Sequence, residues 1–203
     1  MLRHAIVAVP WTRVVLVSAL VVVLMEVVAR RPTATWLLEV ASVGLLAAAA
    51  AWCFDEPAAV VVDPAPRTAA WRATARGLGL LPLLGAWSWS MARGWDGFFD
   101  RPAQVAAQGV VAVLVGTAWT LTRRAAGVAE PGVRLAPAAV AFALCWPATG
   151  RLADHIPLFP FPHHSDAAWD LSRGLWCAAA TGAGVVLLVV LTDRLPPVIH
   201  RSR

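Results

Sequence analysis

Two carboxylates, Glu26 and Glu39, stand inside long apolar runs. An ionisable side chain at membrane depth is costly and points first to an ion or proton path. Both, however, lie close in sequence to Arg30 and Arg31. The expectation weighed against transport is a pair of snorkelling, ion-paired anchors at the helix ends. A second group, Asp154, His155, His163, His164, Asp166 and Asp170, shares one connection. Imidazole and carboxylate are ordinary ligands for a divalent metal. The run HIPLFPFPHH is broken by prolines and matches no helical metal spacing, so no metal site is assigned. Instead its apolar half, Ile156–Phe161, is expected to dip into the membrane interface, which makes Leu158, Phe159, Phe161, His163 and His164 the outer-loop candidates.

A third group lies in CFDEPAAVVVDPAPRTAAWRATARGL, from Cys53 to Leu78. Asp55 can cap a short helix, because its carboxylate accepts orphan N–H groups. Pro57 suits a first turn, where its missing N–H does no harm. Ala58–Val62 supplies little more than one turn before Pro64 and Pro66 end it. Arg72 and Arg76, four apart, share one helix face. Asp55, Glu56, Pro57, Ala59, Val61, Arg72 and Arg76 are therefore the candidates for binding a partner at an inner membrane surface.

No residues are assigned to catalysis. The sequence has no GxxxxGK[ST] phosphate loop, so it offers no P-loop for ATP, and it has no GxSxG or HExxH. Cys53, Cys145 and Cys177 form no CxxC pair and sit in or beside apolar runs, as free buried thiols do. No cofactor is expected in this chain.

The elements that must position these residues are membrane helices. Of the 203 residues 59% are hydrophobic, with a mean hydropathy of +0.67. The excess collects in blocks separated by short polar stretches, as crossing a ~30 Å hydrocarbon layer requires. The expectation is an all-α polytopic integral membrane protein, one transmembrane domain over residues 1–203. About six spans are read: 14–28, 36–53, 77–92, 103–122, 135–149 and 175–191. The first reads as a retained helix, with no cleavage site after it. Pro82 in the third span, and Pro137 and Pro147 in the fifth, point to kinks that neighbouring helices must satisfy.

Orientation follows from arginine, since the chain has no lysine. With the N-terminus inside, Arg3, Arg13, Arg67, Arg72, Arg76, Arg123, Arg124, Arg134, Arg194, Arg201 and Arg203 face inward. Arg30, Arg31, Arg93, Arg101, Arg151 and Arg173 face outward. The inward excess places both termini in the cytoplasm. The net charge of +5 belongs to these loops and calls for no nucleic-acid partner. Trp11, Trp36, Trp95 and Trp169 are expected at the bilayer boundaries as an aromatic belt. Gly77, Gly79, Gly85, Gly182 and Gly184 read as small residues that let helices approach closely.

The FDEPAA–DPAPR–R–R loop after the second span, the RR…RLAP approach to the fifth, and the PLFP segment before the sixth resemble one family. It is that of the small six-span permease subunits of ABC exporters in actinobacteria. The resemblance covers the whole chain in layout, with a shorter N-terminal segment at Met1–Pro10. It implies a multi-pass protein of a bacterial cytoplasmic membrane. It also implies a separate cytoplasmic ATPase subunit, holding ATP and Mg, docked on a short coupling helix at Asp55–Val62. A second permease chain would complete the pathway, closed by the re-entrant segment before the last helix. Two other classes stay open. One is an accessory structural subunit of a larger membrane complex; the other is a metal-handling membrane protein using the outer His/Asp loop.

Overall fold

The computed structural model describes residues 7–56, 69–95, 101–161 and 163–192. Among them the regular elements are helical: α1 (Trp11–Arg30), α2 (Pro32–Cys53), α3 (Ala69–Gly77), α4 (Leu80–Gly94), α5 (Pro102–Ala125), α6 (Pro131–Cys145), α7 (Arg151–His155) and α8 (Asp166–Leu191). A 3-10 turn, Trp146–Thr149, continues α6. Proline opens α2, α5 and α6, where its fixed φ suits a first turn and no N–H is lost. α8 opens on Ser165, whose hydroxyl accepts from the Ala168 N–H at 3.4 Å.

α2 is the axis of the bundle, packing against α1, α5 and α6, while α8 packs on α5 and α4 on α1. Small residues bring the helices together. A Cβ at Gly116 of α5 would lie 2.2 Å from the Ala47 carbonyl oxygen of α2. One at Gly44 of α2 would lie 2.8 Å from Ala143 Cβ of α6. Lipid gives helices no hydrophobic reason to associate, so such close backbone contact supplies the attraction. On α4, Trp87 is buried and its indole N–H donates to the Ala106 carbonyl at 2.9 Å, tying α4 to α5.

Among the described residues five helical stretches are long and apolar enough to cross a membrane: Trp11–Arg30, Thr33–Cys53, Pro102–Ala125, Pro131–Thr149 and Asp166–Leu191. The third expected span, 77–92, falls on α4, whose 15 residues extend about 22 Å at the α-helical rise. α4 nevertheless runs beside α1 for most of its length. At one end the position of a Gly79 Cβ lies 2.7 Å from Val9 Cγ1 and 3.0 Å from Cys53 Sγ. At the other, Arg93 stands 3.6 Å from Glu26. The end carrying Val9, Cys53, Gly79, Arg124 and Gly132 is called the basic end below, and the end carrying Glu26, Trp36, Arg93 and Arg101 the far end.

Candidate functional site

At the basic end the chain leaves α2 and turns inward. Asp55 and Glu56 are 7% and 5% exposed. The Glu56 carboxylate gathers three guanidiniums: Arg124 at 2.6 Å, Arg76 at 3.4 Å and Arg72 at 3.7 Å. These come from α5 and α3, so one carboxylate fastens two helices to the end of a third. Arg76 also donates to the Asp55 carbonyl, and the Glu56 N–H donates to the Ala129 carbonyl at 3.0 Å. Burial pushes the Arg76 guanidinium below its ordinary value, and Glu56 pulls it back up.

Asp55 caps a helix distant in sequence, while the helix expected after it lies outside the described residues. Its Oδ1 accepts from the Gly132 N–H at 2.7 Å, at the first turn of α6. Four orphan N–H groups end every helix start, and here a carboxylate 77 residues earlier satisfies one of them. Gly132 is needed for the approach, since a Cβ there would lie 2.8 Å from Asp55 Oδ2 and from the Ala51 backbone. Burial raises the Asp55 carboxyl above its ordinary range, and the α6 N–H groups oppose that rise.

Arg72 and Arg76 therefore do share a face with a purpose, and Asp55 and Glu56 lie with them in one internal cluster. Pro57, Ala59 and Val61, and with them the coupling helix expected to Val62, lie outside the described residues. Arg124 and Gly132 complete the cluster, although sequence reasoning singled out neither as a binding partner.

At the far end the segment before α8 is fixed in place. The Leu158 carbonyl accepts from the Trp176 indole N–H at 2.8 Å and the Ser172 hydroxyl at 3.1 Å. Phe159 is buried, its ring 5.6 Å from Trp176, and Phe161 meets Trp36 of α2 edge-on at 5.3 Å. The Trp146 indole donates to the Ile156 carbonyl at 3.2 Å. His164 Nδ1 accepts from the Phe161 N–H at 3.2 Å, and His163 lies against the Phe161 ring. Asp166 pairs with Arg101, and Asp170 with Arg173 at 3.1 Å. Among the described residues no three His, Cys, Asp or Glu side chains come together as a metal would need.

The two intramembrane carboxylates part company. Glu26 pairs with Arg93 of α4, not with Arg30 or Arg31, because α4 rather than the α1–α2 turn lies against that face of α1. Glu39 is 2% exposed and forms no hydrogen bond or ion pair among the described residues. Gln108 of α5, also 2% exposed, leaves its Oε1 without a hydrogen-bond partner.

A cavity of about 420 Å³ opens between α6 and α8. Its floor is Gly44 and Ala47 of α2 with Ala112 and Gly116 of α5. Ala138 and Phe142 form one wall, Trp176 and Ala179 the other, and Leu158 and Phe159 close the far end. No family model, no curated protein and no solved structure matches this chain.

Proposed function

We propose that the chain is the membrane-spanning permease subunit of an ATP-driven exporter. It works with a cytoplasmic ATPase subunit, which holds the ATP and Mg, and with a second permease chain in a bacterial cytoplasmic membrane. The observation that carries this reading is the unfinished side of the bundle. In its most apolar stretch α2 has 67% of its residues buried, and α8 has 11%. On α8, Gly174, Ala178 and Gly182 are exposed and four apart. Among the described residues a Cβ at Gly174 or Gly182 would meet nothing within 4 Å. Small residues at that spacing let two helices close on each other in lipid, so α8 is where the second chain packs.

Six spans with both termini cytoplasmic remain the topology. The course of α4 from Cys53 and Val9 to Glu26 supports it, as does the inward excess of arginine. The ATPase would press on the Pro57–Val62 segment. Glu56, directly before that segment, is tied to α3 and α5, and Asp55 to α6. A displacement there reaches three helices at once. The chain does no chemistry; it moves when its partner closes on ATP.

The inward turn of Asp55 and Glu56 favours a second reading, an accessory subunit whose basic end holds itself together and carries no motor. Purification of the tagged chain in mild detergent separates the two. The permease reading expects a paired chain with an ATPase attached. Gly174→Leu with Gly182→Leu should yield single chains, and Ala59→Arg or Val61→Asp should lose the ATPase while the protein stays folded. If both loop variants keep full ATPase co-purification and transport-linked ATP hydrolysis, the coupling assignment fails and the accessory reading replaces it.

A further inference from the structure

We infer that the cavity between α6 and α8 is a binding site for one anionic glycerophospholipid. An acyl chain would lie in the groove and the phosphate between Arg123 and Arg134 at the basic end. The inference stands on the groove itself and does not depend on the exporter reading.

Water does not suit this space. At about 420 Å³ it exceeds roughly ten times the ~30 Å³ share of a water molecule. Its floor and walls are glycine, alanine, valine, leucine and aromatic side chains, which give a water none of the two to four polar partners it needs. An aliphatic chain meets every wall with contacts it would make in any apolar phase. The groove also opens where such a chain is available. α6 packs on α2 and α8 on α5, so the gap between α6 and α8 faces sideways toward the bilayer. Phe142 and Trp119, 50% and 49% exposed, stand at its rim.

Charge decides which lipid. Arg123 follows Trp119 by one turn of α5, and its guanidinium lies 6.0 Å from the centre of the Trp119 ring. Arg134 precedes Ala138 by one turn of α6, on the side of the helix that forms the groove wall. Long side chains in a helix lean toward its N-terminus, which for α6 is the basic end. Both arginines are exposed, and neither joins the Glu56 cluster. Neither forms an ion pair with a carboxylate among the described residues. Two cations, each one helical turn from a residue that lines the apolar groove, match a lipid whose phosphodiester carries no compensating cation, unlike that of phosphatidylcholine. Basic sites between membrane helices hold lipid headgroups by the same pairing.

The test is native mass spectrometry of the full chain, after exchange of its bound lipid for phosphatidylglycerol or phosphatidylcholine. One phosphatidylglycerol should be retained per chain, preferred over phosphatidylcholine by about thirty-fold, from about 1 kcal/mol per cation. Arg123→Ala with Arg134→Ala should erase that preference and leave the melting temperature unchanged. Ala138→Trp should fill the groove and lose both lipids; Ala179→Phe does the same from the opposite wall should the first variant fail to fold. Equal retention of the two lipids by the unaltered chain would overturn the proposal. So would a preference that survives loss of both arginines, or crosslinks placing a second copy's helix in the groove.

Discussion

At the basic end, the chain leaving α2 is held by charge, with one carboxylate among three guanidiniums. At the far end, the chain entering α8 is held by two donors on one backbone carbonyl and by aromatic edges. Each closes a loop onto the same bundle, yet the two divide their strength differently. The charged closure passes through Glu56, so its stability is concentrated in one side chain. The aromatic closure is shared among Trp146, Trp176, Ser172 and Trp36, so no single loss opens it. Buried ions add little net stability when paired and cost much when one partner goes. The basic end is thus a device for fixing geometry, and the far end an ordinary piece of core.

Glu56→Gln breaks the comparison most sharply. It keeps the shape and removes the charge that one buried guanidinium, Arg76, and two half-buried ones, Arg72 and Arg124, share. Breaking a buried pair from one side costs about 3–5 kcal/mol, and the melting temperature in detergent should fall accordingly. The loss should shrink when Arg124→Gln is added, because one stranded cation is then gone. A Glu56→Gln variant as stable as the parent would show that the cluster carries no load.

At the far end, Trp176→Phe keeps the ring against Phe159 and removes one donor from the Leu158 carbonyl. Ser172 remains within 3.1 Å of that oxygen, so the acceptor is not left bare. The expected cost is about 1 kcal/mol, the net worth of one hydrogen bond. Limited proteolysis between Ile156 and Phe161 should stay as slow as in the parent chain. Rapid cleavage there would mean the closure depends on Trp176 as singly as the basic end depends on Glu56.

The helices were legible where apolar runs are long. The expected spans 14–28, 36–53 and 103–122 lie inside α1, α2 and α5. The start of α8 was not: Asp166, Asp170 and Arg173 make its first two turns polar, so an apolar run begins only near Leu175, although the helix begins at Asp166. The fifth expected span begins at 135, but its helix begins four residues earlier, where Pro131 occupies a first helical position and Gly132 makes room for Asp55. In the candidate site, the Arg72–Arg76 spacing was visible because a helix repeats locally. The link from Glu56 to Arg124 spans 68 residues and that from Asp55 to Gly132 spans 77. No local pattern encodes such partners. Glu26 met Arg93 in place of its sequence neighbours for the same reason, since packing of α4 on α1 chose the pair.

The smallest effect comes from Asp55, and it sharpens the comparison through pH. Burial raises its folded-state pKa above the ordinary value near 3.8, whereas an unfolded chain keeps that ordinary value. Between the two values the folded protein binds the proton more tightly, so the unfolded state carries fewer protons. Stability therefore falls as pH rises from about 4 through the raised folded value, and recovers on acidification across the same window. This is opposite in sign to an ordinary salt-bridged aspartate. Asp55→Asn keeps an oxygen for the Gly132 N–H and removes the titration. The variant should be within about 1 kcal/mol of the parent at neutral pH, because an uncharged acceptor replaces a carboxylate that burial penalises. Its melting temperature should lack the part of the acid-side rise that Asp55 supplies. Comparing Asp55→Asn with the parent from about pH 4 upward isolates the aspartate. An unchanged profile would mean that the Gly132 N–H holds Asp55 ionised after all and that burial does not govern its charge.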